Sequence, residues 1–402
     1  MRKVIISISV VLYLATIGVF SQSGSVKGIV TDSVKGQPVI NLTIFITSTT
    51  FGTTTNQSGE YHLDKLPPGD YTLMFRHLLY PPYSQRITIE AGKQVVLNVI
   101  VAEKTNLLNE VVIVGKKPDW DWAYKLFKEN FLGDSYESKC ILQNPKALSF
   151  YFDGDILTTN AKQPLEIINR HLGYRITYYL DYFKFVENKN PNKNSVQGAY
   201  YAYAGSALFK DLTDVMPLNA IAFRINREAE FKGSLRHFLS SLYQKNLDEN
   251  RYALRKAYQG YTDLKETEKL GTAMAKVKLT QMDSIFSWYP ESGESGFLYY
   301  FPFEDYKILM DQVKDGQKVG EKTLTTDTFV LVFKDFKKTY DLRDDWISTL
   351  RIINGDLTFD QLGNYWIHKG SITWTNLDNS VQIKVLLPSD YLPKTKPMRK
   401  SL

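Results

Sequence analysis

From Ser25 to about Lys104, apolar and polar residues alternate with a period of two, in short runs separated by turn residues. "SVKGIVTD" leads into the turn "DSVKGQP", and "NLTIFITST" places Leu42, Ile44 and Ile46 on one face. "FGTTTNQSGEYHL" turns at Asn56 to Gly59, where Gly59 can supply a positive φ. "LPPGDYTLMFRH" gives a strand with Tyr71, Leu73 and Phe75 facing one way. "QRITIEAGKQVVLNVIVAE" is a pair of strands joined at Ala91-Gly92, with Leu97, Val99 and Val101 inside. This spacing predicts a small antiparallel β-sandwich.

The period changes after Pro118. Asp119 is placed to cap a helix in which Trp120, Ala123, Tyr124, Phe127 and Phe131 recur at helical spacing, ending at Gly133. Alternation returns in "ALSFYFDGDILTT", "EIINRHLGYRITYYLDYFKFV" and "GAYYAYAGSALFKDL". A second helix is expected over Ile221 to Leu247. Phe231, Leu235, Phe238, Leu239 and Leu242 would form its apolar face, and Arg224, Arg227, Lys232 and Arg236 would make much of the rest basic. Further strands are expected at "RYALRKAY", "DTFVLVFKD", "WISTLRIING", "GSITWTN" and "SVQIKVLL", with exposed loops at 188–197 and 311–326. The whole reads as β-rich α+β: an N-terminal sandwich at 22–117, a larger antiparallel-sheet α+β domain at 118–395, and a basic tail at 396–402.

The start "MRKVIISISVVLYLATIGVFSQ" adds a compartment. Arg2 and Lys3 precede an apolar stretch, and Val19 and Ser21 sit at −3 and −1 of a cleavage site before Gln22, the pattern of a removed secretory leader at 1–21. No Cys follows the stretch, so no lipid-anchoring thiol is present there. The one Cys, Cys140, has no partner for an internal disulfide, so an exported fold must be held by its core. Net charge is +6, with no basic run longer than a pair, which argues against a nucleic-acid partner. The sequence sets no oligomeric state.

"GIVTDSVKGQPVINLTIFI", "GTTTNQSGEYHL" and "PPGDYTLMFRH" resemble, in order, the carboxypeptidase regulatory-like domain, a transthyretin-like β-sandwich. His77-Leu78-Leu79-Tyr80 departs from the family, which usually has a Gly-Tyr pair there. In Bacteroidota envelope proteins the domain often ends in a "LxEVVVxG" strand, and "LNEVVIVG" resembles that ending. In TonB-dependent transporters this strand precedes a plug and a barrel of roughly 22 strands. The chain after it is too short for such a barrel, so the module is expected to be joined to something else. "FKENFLGDS", "ILQNPKALSFYFDGDILTTNAKQPLEIINRHLGYRITYYLDYF" and "FKGSLRHFLSSL" resemble the C-terminal part of exported Bacteroidota proteins carrying such a domain. That part has no assigned function, and the resemblance implies no catalytic residue and no cofactor.

The candidate chemistry is sparse. None of His62, His77, His171, His237 and His368 belongs to an H-E-x-x-H pattern, so no zinc-peptidase site is expected. "SGESGF" has G-x-S-G spacing, not that of a nucleophile elbow. Ser234 lies three residues before His237, close enough to share a helix face, yet a hydrolase also needs an orienting acid and an oxyanion hole. "GQKVGEKT" places Glu321 between Gly320 and Lys322, which breaks a phosphate loop. Asp153 and Asp155 flank Gly154, and Asp341, Asp344 and Asp345 make a second loose acidic group. Tyr178, Tyr182, Tyr201 and Tyr203 alternate along two strands. They form a platform for sugar or peptide if exposed, and core if buried.

These observations point to a non-enzymatic cell-envelope protein in the periplasm or at the outer membrane. Its role would be binding, assembly or scaffolding, with an envelope protein, peptide or glycan as partner. Two alternatives stand: a hydrolase or glycan-active enzyme in the larger domain, and an adaptor of a TonB-dependent transport system.

Overall fold

The computed structural model describes residues 23–103, 116–133, 139–186, 200–247, 249–250, 252–261, 285–288, 296–300, 313–316, 321–324, 329–334, 347–353, 355–367, 371–376, 383 and 386–393. The expected leader at 1–21, the "LNEVVIVG" strand, the loop at 188–197, the acidic group at 341–345, His368 and the basic tail lie outside the described residues. So does most of the expected strand "SVQIKVLL". The chain divides into two compact units. One is Met1–Ile113 with Ser206–Lys210; the other is Val114–Gly205 with Asp211–Leu402.

The first unit holds β1 (Gly24–Asp32), β2 (Thr43–Ile46), β3 (Gly52–Thr54), β4 (Glu60–Leu66), β5 (Gly69–Arg76), β6 (Tyr83–Ile89), β7 (Gln94–Val96) and β8 (Val99–Val101). One sheet runs β4-β1-β7, with β8 also on β1; the other runs β3-β2-β5-β6. Pairing is antiparallel except that β7 and β8 lie parallel to β1. β6 and β7, joined at Ala91-Gly92, therefore belong to different sheets. The turn carries the chain from one sheet to the other, which lets Ile87 and Ile89 face the same core as Val99 and Val101. Val26, Val30, Leu42, Ile44, Leu73 and Phe75 fill that core, each 1% exposed or less. Each such side chain stabilises the fold by roughly 1.5–3 kcal/mol relative to an exposed one. Gly59 adopts φ 71° in the turn before β4. Asn56 fixes that turn by accepting from the N–H groups of Ser58 and Glu60 at 2.9 Å each.

Ser206–Lys210 join this unit from a distant part of the chain. Ser48 N donates to Ala207 O at 2.7 Å, Phe209 N donates to Thr49 O at 2.9 Å, and Thr49 bridges Leu208 in parallel.

In the second unit, β9 (Cys140–Leu142), β10 (Leu148–Asp153), β11 (Ile156–Ala161), β12 (Leu165–Asn169), β13 (Tyr174–Val186) and the 200–205 end of β14 (Tyr200–Asp211) make one sheet. Its order is β10-β11-β13-β12-β9, and β14 pairs β13. Helix α1 (Trp120–Phe127) continues through a π turn at Lys128–Leu132. Asp119 caps it by accepting from Trp122 N at 2.8 Å. Phe127 and Phe131 pack edge-on against Phe183 and Tyr178 of the sheet.

The expected helix over 221–247 is two helices, α2 (Ala220–Phe231) and α3 (Leu235–Gln244). The break has a local cause: Gly233 takes φ 85°, and Ser234 starts a new helix as its N-cap. Leu235, Phe238, Leu239 and Leu242 of α3 pack with Leu324, Leu357 and Phe359.

A second sheet of this unit runs β16-β17-β15-β20-β21-β24. Its strands are β15 (Tyr252–Tyr261), β16 (Ile285–Trp288), β17 (Gly296–Tyr300), β20 (Phe329–Lys334), β21 (Ile347–Ile353) and β24 (Ser371–Asn376). A third runs β18 (Val313–Asp315), β19 (Glu321–Leu324), β22 (Leu357–Asp360), β23 (Tyr365–Ile367). β18 and β19 correct the loop expected over 311–326. Leu324 is fully buried in the core beside α3, which pins this polar segment into a ladder. Glu321, Lys322 and Thr323 of "GQKVGEKT" are strand residues.

Candidate binding surface

The turn from Asn169 to Gly173 sets how α2 sits. Asn169 is fully buried; its Oδ1 accepts from Leu172 N at 2.8 Å and its Nδ2 donates to Ile383 O at 3.1 Å. The carbonyls of His171, Leu172 and Gly173 then serve α2. Asn226 Nδ2 donates to His171 O at 2.8 Å, Arg227 Nε to Leu172 O at 2.6 Å, and Arg227 Nη2 to Gly173 O at 2.8 Å. Arg227 also grips Asp211 and lies 3.9 Å from the centroid of the Tyr174 ring. Glu230 Oε1 meets His171 Nε2 at 3.0 Å. Burial works to raise the Asp211 carboxyl. The hydrogen bonds from Arg227 and Thr213 outweigh it and hold the group below its usual range.

The inner face of α2 thus carries Phe223, Arg227 and Phe231, all buried, together with Asn226 and Glu230. The outer face carries an apolar stripe flanked by Arg224, Glu228 and Lys232. Ile221 is 67% and Ile225 56% exposed, and Ala222 and Ala229 are exposed on the same side. Leu218, 98% exposed, and Val215, 69% exposed, extend the ridge before the helix. Surface helices ordinarily turn their apolar stripe inward. Exposed apolar patches on soluble proteins often coincide with interaction sites.

The basic face expected on this segment is only half formed: Arg224 and Lys232 are exposed, whereas Arg227 and Arg236 are turned inward. Arg227 is 7% exposed, and Arg236 donates to the carbonyls of Pro388 (2.9 Å) and Ser389 (2.7 Å). Lys232 is paired with Glu228 at 2.8 Å.

Asp153 and Asp155 sit on an exposed hairpin tip between β10 and β11, where Asp153 pairs with Ile156 and Gly154 takes φ 60°. The Ser234 hydroxyl donates to Phe231 O at 2.7 Å and accepts from His237 N at 3.2 Å, so it serves the helix terminus. His237 Nδ1 lies 2.7 Å from the Tyr252 hydroxyl and accepts from Gly233 N at 3.2 Å. Among the described residues, no group of three His, Cys, Asp or Glu is placed to hold a metal ion.

The four tyrosines do not share one surface. Tyr178 is 4% exposed, and the rings of Tyr178 and Tyr203 meet Phe131 edge-on at 5.1 and 5.0 Å. Burial pushes both phenols well above their usual value. Tyr201 stacks on Phe183 at 6.4 Å, whereas Tyr182 is exposed. Along β13 the buried positions change from even (174, 176, 178) to odd (183, 185), which leaves Tyr182 outside.

Sequence reasoning missed a polar lock in the first unit. Asp32 is 3% exposed; its Oδ2 accepts from the Tyr80 hydroxyl at 2.8 Å, and its Oδ1 accepts from the N–H groups of Val34 and Lys35 at 2.8 Å each. The available signal was "VTD" at a turn and a Tyr within "LLYPP".

Residues 26–113 match the family model described as CarboxypepD_reg-like domain. The first unit carries that domain. Over 108 residues the chain is 33% identical to the TonB-dependent transporter Oar of Myxococcus xanthus, covering 25% of this chain and 10% of the transporter. Over 115 residues it is 34% identical to the TonB-dependent receptor SusC of Bacteroides thetaiotaomicron, covering 29% of this chain and 10% of the receptor. The chain therefore matches about a tenth of the length of these relatives. Among solved structures, the minor pilin GBS52 of Streptococcus agalactiae aligns at 14% identity and a TM-score of 0.19, over 21% of this chain and 46% of that one. A likeness that slight carries no argument. The CarboxypepD_reg-like domain also exposes Leu78 (68%) and Leu79 (55%), where its sequence departs from the usual Gly-Tyr pair. No described helix is long and apolar enough to cross a membrane.

Proposed function

We propose that this protein is a non-enzymatic cell-envelope protein that binds or assembles other envelope components, with the outer face of α2 as its binding surface. The observation that carries the reading is the CarboxypepD_reg-like domain at 26–113, with its likeness to parts of two TonB-dependent proteins. In this reading residues 1–21 are a removed leader, 22–117 form the sandwich module, and 118–395 form the domain that presents the surface. The module is the accessory part of its family and brings no peptidase chemistry. The Ser234 hydroxyl, bonded to backbone at both of its contacts, fits a capping role rather than that of a nucleophile.

The two transporter matches favour one narrower role, that of an adaptor for a TonB-dependent transport system. Fractionation of the producing cell tests the general reading. The chain should be found in the envelope with a mature start at or near Gln22, and recovery in the cytoplasm would overturn it. Co-purification with a TonB-dependent transporter after cross-linking in the intact envelope tests the narrower role.

A further inference from the structure

The four tyrosines share no surface, but two tryptophans at the start of α1 reach solvent. Trp120 is 38% and Trp122 41% exposed. Both rest on one face of β10. Trp120 meets Phe150 edge-on at 6.0 Å and stacks on Tyr124 at 4.9 Å, and Trp122 lies 6.1 Å from Phe152. Phe150 and Phe152 are alternate residues, roughly 7 Å apart along the strand. Phe150 also packs on Phe127 at 6.2 Å, and Asp119 caps the helix, so the indoles stand on a fixed base.

The polar groups beside these rings are unengaged. Neither indole N–H has a hydrogen-bond partner among the described residues. The Asp121 carboxylate, exposed between the two tryptophans, makes no ion pair or hydrogen bond there either. A ligand that matches this set offers C–H faces to the rings, acceptors to the indole N–H groups and hydroxyl donors to the carboxylate. A sugar has all three. Lys116, Lys117 and Lys125 are exposed on and just before the same helix, which offsets the Asp121 charge and leaves little pull on a cation.

We propose that Trp120, Asp121 and Trp122 form a binding site for an uncharged oligosaccharide, with sugar rings packed on the indoles and hydroxyls donating to Asp121 between them. The site is separate from the α2 ridge and does not rest on it. An oligosaccharide reaches both indoles, whereas a monosaccharide reaches one. A lipid surface is a poorer occupant, because insertion of both indoles would take the Asp121 carboxylate out of water.

The test is isothermal titration calorimetry of the full exported chain with maltohexaose, cellohexaose and hexa-N-acetylchitohexaose, up to roughly 10 mM, which covers millimolar binding. At least one hexamer should bind, and its monosaccharide should bind more weakly by about tenfold or more. Trp122→Ala and Asp121→Ala, both at exposed positions, should each weaken the binding by about tenfold or more and leave the thermal transition unchanged. Trp122→Phe, which keeps a ring, should weaken it less. A chain that binds none of the three hexamers overturns the proposal, as does binding indifferent to both alanine variants, or a monosaccharide that binds as tightly as its hexamer. So does sedimentation with phosphatidylethanolamine–phosphatidylglycerol vesicles that is lost in Trp122→Ala. In each of these cases an envelope location would leave the general reading standing.

Discussion

Arg227 holds Asp211 through two side-by-side hydrogen bonds, Nη1 to Oδ2 at 2.7 Å and Nη2 to Oδ1 at 3.0 Å, while the same guanidinium reaches two backbone carbonyls. This contact fixes α2 to the turn that precedes β13. A lysine cannot reproduce the fork. Arg227→Lys should therefore destabilise nearly as much as Arg227→Ala, for which the loss should be about 3 kcal/mol. The figure sits at the low end for a buried pair because the Asp211 side chain is 46% exposed and screened by solvent. Urea unfolding of the two variants measures it, and a fully tolerated Arg227→Lys would show that the fork is not what holds the helix.

The Asp32–Tyr80 pair predicts two pH limits for the CarboxypepD_reg-like domain. The Lys35 N–H, then the Tyr80 hydroxyl, hold the Asp32 carboxyl below its usual 3.8. The stability this gives is complete above that value and is lost as pH falls through the lower folded one. Burial, then the bond to Asp32, pushes the Tyr80 phenol up to about 12 from 10.0. That contribution is complete below pH 10 and disappears as pH rises through about 12. Hydrogen exchange over 23–103 should report both limits. Tyr80→Phe should abolish the alkaline limit and weaken the acid one; an unchanged alkaline limit would assign it to another group.

Gly173 and Gly154 both have positive φ, 69° and 60°, but their surroundings differ. A Cβ at Gly173 would lie 2.3 Å from the Phe223 ring, whereas one at Gly154 meets nothing within 4 Å. Gly154→Ala should cost only the backbone strain, about 1–2 kcal/mol. Gly173→Ala adds a clash at the base of α2, for a total of about 3–5 kcal/mol. Thermal unfolding of the two variants compares them directly. Equal losses would mean that the Phe223 ring moves aside freely.

The sandwich was legible because one buried face per strand writes itself as alternation: period alone put Leu42 with Ile44, and Leu73 with Phe75, on one face of their strands, and those faces are the buried ones. The orientation of α2 was not. Phe223, Arg227 and Phe231 recur every four residues, and so do Ile221 and Ile225, so helical periodicity offers two candidate faces. The choice is made by the carbonyls of the 171–173 turn, more than fifty residues away, which accept from Asn226 and Arg227. The place of Ser206–Lys210 beside Thr49 depends on backbone hydrogen bonds, which leave no trace in side-chain pattern. The break at Gly233 was in plain view as a Gly-Ser pair, but the continuous run of leucines and phenylalanines around it reads as one helix.

The family match runs through residue 113 and so takes in "LNEVVI", which lies outside the described residues. We propose that Leu108 to Val114 is a strand of the CarboxypepD_reg-like domain, and that Lys116-Lys117-Pro118 connects it to the Asp119 cap. Four consecutive β-branched residues, Val111 to Val114, would make an adhesive edge if left unpaired. Two fragments test this, residues 22–117 and 22–105. Both lack Ser206–Lys210, so whatever that segment contributes is missing equally from each, and the difference between them belongs to 106–117. The longer fragment should be monomeric and should unfold in one sharp transition. The shorter should be less stable by a few kcal/mol, the order of magnitude expected for the apolar area of one buried strand. If both unfold alike, the segment is a linker, and its valines must be covered by the larger unit or by a partner.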